Sequence, residues 1–163
     1  MDIAIDACSV INLCNANCIE MVSECENLEL WVGPIVLGEC GAGSASKLLD
    51  LINVGKIRKL DDSNFSAERY LELLSQYNLG PGETECITAA ETTGYTVCTD
   101  DGRARTVVHN LLGSDRLIGS AGLLRQSVVF NVIRCGDANR MFEQMKLEGG
   151  FLPKLKESFF CQL

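Results

Sequence analysis

The sequence predicts an α/β domain, a three-layer α/β/α sandwich around a mainly parallel central sheet, on three observations. Short apolar runs alternate with stretches of helical periodicity along the whole chain, the pattern of strands joined by crossover helices. The first of these runs is continuously apolar rather than alternating, as a strand buried on both faces requires. The 163 residues are 47 % apolar and contain no repeat, linker or low-complexity segment. This suits a single domain over residues 1–163 that buries roughly 70 % of its unfolded surface.

The elements follow in order. Residues 2–6 form an apolar run closed by a carboxylate and read as a buried strand whose C-terminal end carries Asp6. Residues 9–14 and 19–25 have helical character, interrupted at 15–17, and 28–32 reads as the second strand. Pro34 suits the first position of a helix through Val36, Leu37 and Cys40, which places Glu39 between one and two turns in. A helix over 44–54 carries the stripe Leu48, Leu49, Leu51 and Ile52, and 57–60 is a short strand. Asp61, Asp62 and Ser63 look like caps for a helix over 65–77, which stops at the break Leu79-Gly80-Pro81-Gly82. Beyond it come a helix over 83–92, a strand over 95–99 followed at once by Asp100 and Asp101, a helix over 103–112 and a short strand at 117–118. Helices over 120–130 and 137–147 complete the pattern, the last ending at Gly149-Gly150.

Composition excludes several functions. The net charge is −8, so no global basic field draws in nucleic acid, and any such partner is held by local features. The longest apolar stretches, 31–38 and 117–124, fall short of the ~18 residues needed to span a bilayer, and no export segment is read at the N-terminus. Nine cysteines, an odd number, then point to reduced thiols in the cytoplasm rather than a disulfide framework. Cys14, Cys18 and Cys25 recur at spacings that place them on one helix face as small apolar side chains, not as a zinc motif. His109 is the sole histidine, with no nucleophile motif near it, which removes multi-histidine metal sites and a Ser-His-Asp arrangement.

The acids point to a function. Asp6 and the Asp100-Asp101 pair end two strands, and Glu39 and Glu83 lie on helices that leave the same edge of a parallel sheet. Two unit charges ~4 Å apart repel by about 4 kcal/mol at an effective dielectric of 20. Four carboxylates gathered there therefore cost on the order of 10 to 20 kcal/mol, as much as a whole domain's stability. Such a cluster must take up protons or bind cations. Oxygen donors without imidazole select Mg²⁺ or Mn²⁺, and the chemistry they favour is hydrolysis of a phosphodiester. Each residue also has a plainer reading. Asp6 suits a helix cap, Glu83 and Glu85 suit a first helical turn, and Glu39 suits a solvated face. Glu85 points away from Glu83 on a helix, Asp100 and Asp101 face opposite ways if extended, and Arg103 and Arg105 suit surface ion pairs.

Together these motifs resemble the PIN domain family of metal-dependent nucleases, which includes VapC toxins. Asp6-Ala7-Cys8-Ser9-Val10-Ile11-Asn12-Leu13 is similar to its first motif and Pro34-Ile35-Val36-Leu37-Gly38-Glu39 to its second. Gly82-Glu83-Thr84-Glu85-Cys86-Ile87 resembles the Gly-Glu-x-Glu form of one subgroup, and Thr99-Asp100-Asp101-Gly102-Arg103-Ala104-Arg105 its last motif. The segments 118–124 and 149–151 are similar too. The resemblance implies Asp6, Glu39, Glu83, Asp100 and Asp101 as catalytic metal-site residues, with Glu85 a further metal candidate although Glu83 matches better. Thr-x-Asp spacing selects Asp101, and adjacency to the strand selects Asp100. Ser9, Asn12 and Thr99 are implied as supporting residues, and Arg103 and Arg105 as substrate contacts. Implied as well are RNA as substrate, two Mg²⁺ or Mn²⁺ ions, 5′-phosphate and 3′-hydroxyl products and, for toxin-type members, an antitoxin or homodimer partner. Arg116, Arg125, Lys56, Arg58 and Lys59 are further candidates for local basic patches. The alternative is a non-catalytic module of the same fold that binds RNA or protein, which Mn²⁺-dependent cleavage would separate from the nuclease. A phospho-acceptor receiver domain fits poorly, because the chain lacks the paired acids it needs at the first strand and a suitable Lys between the Tyr95 strand and Lys146.

Overall fold

The computed structural model describes residues 1–61 and 65–162. Five strands form one sheet, β1 (Asp2–Ile5), β2 (Glu29–Val32), β3 (Arg58–Lys59), β4 (Thr96–Cys98) and β5 (Leu117–Ile118), in the order β3-β2-β1-β4-β5. Every pairing is parallel, with Ala4 opposite Trp31 on one side and Val97 on the other. Ile3, Ala4 and Ile5 are fully buried, which explains the continuous apolar run of this central strand.

From β1 the chain builds outward to β3, then returns to lay β4 and β5 on the other side of β1. This reversal makes a topological switch point between β1 and β4, with a crevice outside their carboxyl ends. Right-handed crossovers in opposite directions put helices on opposite faces. On one side α1 (Ala7–Asn15) packs with α2 (Ile19–Ser23), α4 (Ala42–Asn53), α8 (Ser120–Val129) and α9 (Cys135–Leu147). On the other, α6 (Pro81–Thr93) packs with α5 (Ala67–Tyr77) and α7 (Gly102–Leu112). The short α3 (Pro34–Glu39) touches α1, α4 and α6, joining the two layers beside the crevice.

Several details depart from the sequence reading. Helix α6 begins at Pro81 rather than at residue 83, because proline suits the first helical position and the break it marks is the helix entry itself. Helix α3 ends at Glu39 instead of running through Cys40, with Glu39 between one and two turns in as expected. The cap of α5 is Ser66, whose hydroxyl accepts from Arg69 N at 3.2 Å, and not the Asp61 group. Asp62 and Ser63 lie outside the described residues. Cys14, Cys18 and Cys25 do not share one helix, since α1 ends at Asn15 and α2 at Ser23, yet all three are buried. The expectation of reduced thiols alone is corrected as well, because Cys135 and Cys161 form a disulfide that ties the C-terminal segment to α9. Sequence spacing does not bring these two together; the fold does. Among the described residues no helix is long and apolar enough to cross a membrane.

Candidate active site

Asp6 follows β1 directly, and its backbone N–H reaches Cys98 O at 3.0 Å, locking it to the end of β4 at the switch point. Only 1 % of it is exposed. Its Oδ1 accepts from Ser9 N at 2.8 Å and thereby caps α1, while Oδ2 accepts from the Cys8 thiol at 2.9 Å. The side chains of Thr99 and Ser9 bond to it as well. Burial pushes its pKa up, and those hydrogen bonds counter the rise without cancelling it. The capping role and a site role therefore coexist in one carboxylate.

The chain after β4 supplies the two aspartates in different postures. Asp100 accepts from Asn12 Nδ2 at 2.8 Å, from Ser120 N at 2.9 Å and from the Ser120 hydroxyl. Asp101 caps α7 by accepting from Ala104 N at 2.8 Å, and its own N–H donates to the Thr99 hydroxyl. Cys8 feels the charges of Asp6 and Asp100, and burial together with those charges pushes its thiol up to about 12, so it stays a neutral donor.

Two glutamates close the crevice. Glu83 occupies the first turn of α6, where its Oε2 accepts from Gly80 N at 2.8 Å. Its pKa is raised, first by burial and then by the charges of Asp101, Asp6 and Glu39. Glu39 Oε1 accepts from Gly82 N at 3.1 Å, and a Cβ on Gly82 would overlap Glu39 Oε2, so the close approach requires glycine. Glu83 thus interacts electrostatically with Asp6, Glu39 and Asp101, although the four come from distant segments. Asp100 joins them through Cys8. None of these five carboxylates takes part in an ion pair among the described residues.

Glu85 and Arg103 stand elsewhere, and Arg105 meets the site at its edge, where a Cβ on Gly119 would touch both its Nη1 and Asp100 Oδ1. Glu85 is 3 % exposed and turns to α3, accepting from Ile35 N at 3.1 Å and Val36 N at 2.9 Å. Arg105 donates to Thr99 O at 2.8 Å and Ile118 O at 3.2 Å, bracing the ends of β4 and β5, and Arg103 donates to Asn78 O. Sequence reasoning missed Cys8 and Ser120 as contributors. Ser120 was open to discovery, because it starts the helix at the carboxyl end of β5.

Among the described residues no three carboxylate, thiol or imidazole groups form a ready-made metal cage. The donor chemistry nevertheless fits a hard divalent cation. Its oxygens are carboxylates, burial and then neighbouring negative charge raise Glu83, and among the described residues no cationic side chain forms an ion pair with them. The raised values of Asp6 and Glu83 also set a pH dependence. Folding favours the protonated carboxyls, so their contribution is full below the ordinary carboxylate range and is lost as pH rises through the raised values. In EDTA the protein is expected to melt higher near about pH 5 than near about pH 8. Asp6→Asn should reduce that difference, as a melting series in both buffers will read.

A family model described as a PIN domain matches residues 2–157 of the chain. No curated protein and no solved structure matches it.

Proposed function

The chain belongs to the PIN domain family, whose members are typically nucleases and often bind divalent metals, and from that premise we propose a Mg²⁺- or Mn²⁺-dependent endoribonuclease that hydrolyses RNA phosphodiester bonds. The observation that carries the reading is the meeting of carboxylates from distant segments at the switch point of the sheet, where Glu83, raised first by burial, also feels the charges of Asp101, Asp6 and Glu39. In this proposal Asp6, Glu39, Glu83, Asp100 and Asp101 hold the cation. A divalent ion held there would supply Lewis-acid stabilisation of the charge that builds on the phosphate and would make a bound water more acidic.

The protein's own groups do the rest. Ser9, Thr99 and Cys8 hold the Asp6 carboxylate in one orientation, and Asn12 and Ser120 do the same for Asp100. Preorganised oxygens need little reordering as the transition state forms. Glu83 Oε2 is engaged by Gly80 N, which leaves Oε1 as the Glu83 atom that would hold the cation. Glu85 serves as the buried acceptor for α3, and Arg105 as the brace that positions Thr99. This division of labour between Glu83 and Glu85 supports placing the chain in the Gly-Glu-x-Glu subgroup. Incubation of end-labelled RNA with Mn²⁺ is expected to give fragments with 5′-phosphate and 3′-hydroxyl ends, and EDTA to stop their formation. Intact RNA under every divalent ion tried would return the chain to the non-catalytic alternative.

A further inference from the structure

Resting on the ribonuclease reading, we infer that Phe151, Lys154 and Lys156 together with Arg125 form a track that guides single-stranded RNA to the acidic pocket. The protein is acidic overall, so where it keeps cations with no carboxylate partner matters. Arg58, Arg69, Arg140 and Lys146 are in ion pairs. Arg105 and Arg116 donate to backbone carbonyls. Arg125, Lys154 and Lys156 instead line one cavity of about 370 Å³, and among the described residues none of the three is in an ion pair. Arg125 is fixed there by Gln162 O at 2.9 Å and by stacking 5.2 Å over the Phe159 ring. A concave patch of this sign fits a polyanion.

The segment leading from this groove reaches the site. A Cβ on Gly150 would lie 2.7 Å from Asn12 Oδ1, and Asn12 Nδ2 holds Asp100. Lys154 lies four positions after Gly150, at most ~14 Å of extended chain. Phe151, which is 99 % exposed, stands in this interval. It is not a loose end, for Leu152 and Leu155 pack on the core, Phe160 is fully buried and Cys161 is bonded to Cys135. A solvent-facing ring on an anchored segment, three positions before Lys154 and one after Gly150, has the makeup of a base-stacking platform. Stacking needs an unpaired base, which selects single strands over duplex.

The test is fluorescence anisotropy of a labelled single-stranded RNA in EDTA, where no cleavage intervenes, with the duplex of the same sequence and a glutamate-rich peptide as further probes. The single strand is expected to bind most tightly. Phe151→Ala should weaken it by roughly 5- to 100-fold and Phe151→Trp should preserve it. Lys154→Gln with Lys156→Gln should lower the slope of log affinity against log salt by about 1.4, from about 0.7 per lost phosphate contact. Unchanged affinity in Phe151→Ala and the double lysine variant overturns the track, even if the protein cleaves RNA. Equal binding of the peptide with the same sensitivity overturns it in favour of an acidic protein partner. Track-dependent RNA binding by a protein that never cleaves upholds the track and defeats the nuclease reading instead.

Discussion

Asp6→Asn is expected to lower metal-dependent RNA cleavage by on the order of a thousandfold, about 4 kcal/mol in the barrier. The substitution removes the charge but preserves the cap, because Asn Oδ1 still accepts from Ser9 N and Asn caps helices as well as Asp. What it loses is the charged oxygen that faces Cys8 and Thr99 at the junction of β1 and β4. The metal-free variant should fold at least as well as the wild type, since a buried carboxylate with a raised pKa destabilises the fold at neutral pH. Cleavage rates read beside melting curves separate loss of chemistry from loss of structure. Glu83→Gln should behave alike, with the repulsion of Glu83 from Asp101, Asp6 and Glu39 removed.

Glu85→Ala is expected to act in the opposite way, on stability first. The N-cap of α3 is Gly33, which offers no side-chain acceptor, so the Glu85 carboxylate satisfies the N–H groups of Ile35 and Val36. A Cβ on Gly33 would overlap that carboxylate, a sign of how closely the two elements are fitted. Removing charge-assisted acceptors from buried donors costs about 2 to 4 kcal/mol. At roughly 2 to 4 °C per kcal/mol for a domain of this size, the melting temperature should fall by about 5 to 15 °C. Activity should follow because α3 carries Glu39, and Glu85→Gln, which retains one acceptor, should fall between. A Glu85→Ala protein that melts like wild type yet no longer binds Mn²⁺ would mark Glu85 as a ligand instead.

The contrast between these two residues shows what the sequence could reveal. Apolar runs ending in Asp6 and in Asp100-Asp101, with helices between them, were enough to predict a parallel sheet and a shared edge. The sheet order then makes β1 and β4 neighbours. Spacing also set Glu83 apart from Glu85 on α6, but could not tell which of them is buried against α3. That depends on how α3 crosses α6, a tertiary fact. For the same reason spacing could not show that the guanidiniums of Arg103 and Arg105 each donate to a backbone carbonyl. The Cys135–Cys161 bond and the anchored segment around Phe151 left no periodic trace, since neither depends on regular local structure.

Mn²⁺-dependent thermal stabilisation tests most directly whether the five carboxylates share one cation pocket. At a hundredfold excess over the dissociation constant the wild type should gain about 2.7 kcal/mol, several degrees in melting temperature. Asp6→Asn and Glu83→Gln should lose most of that gain, and Glu85→Gln should retain it. A wild type that melts identically with and without Mn²⁺, or variants that gain as much as it does, would contradict the shared pocket.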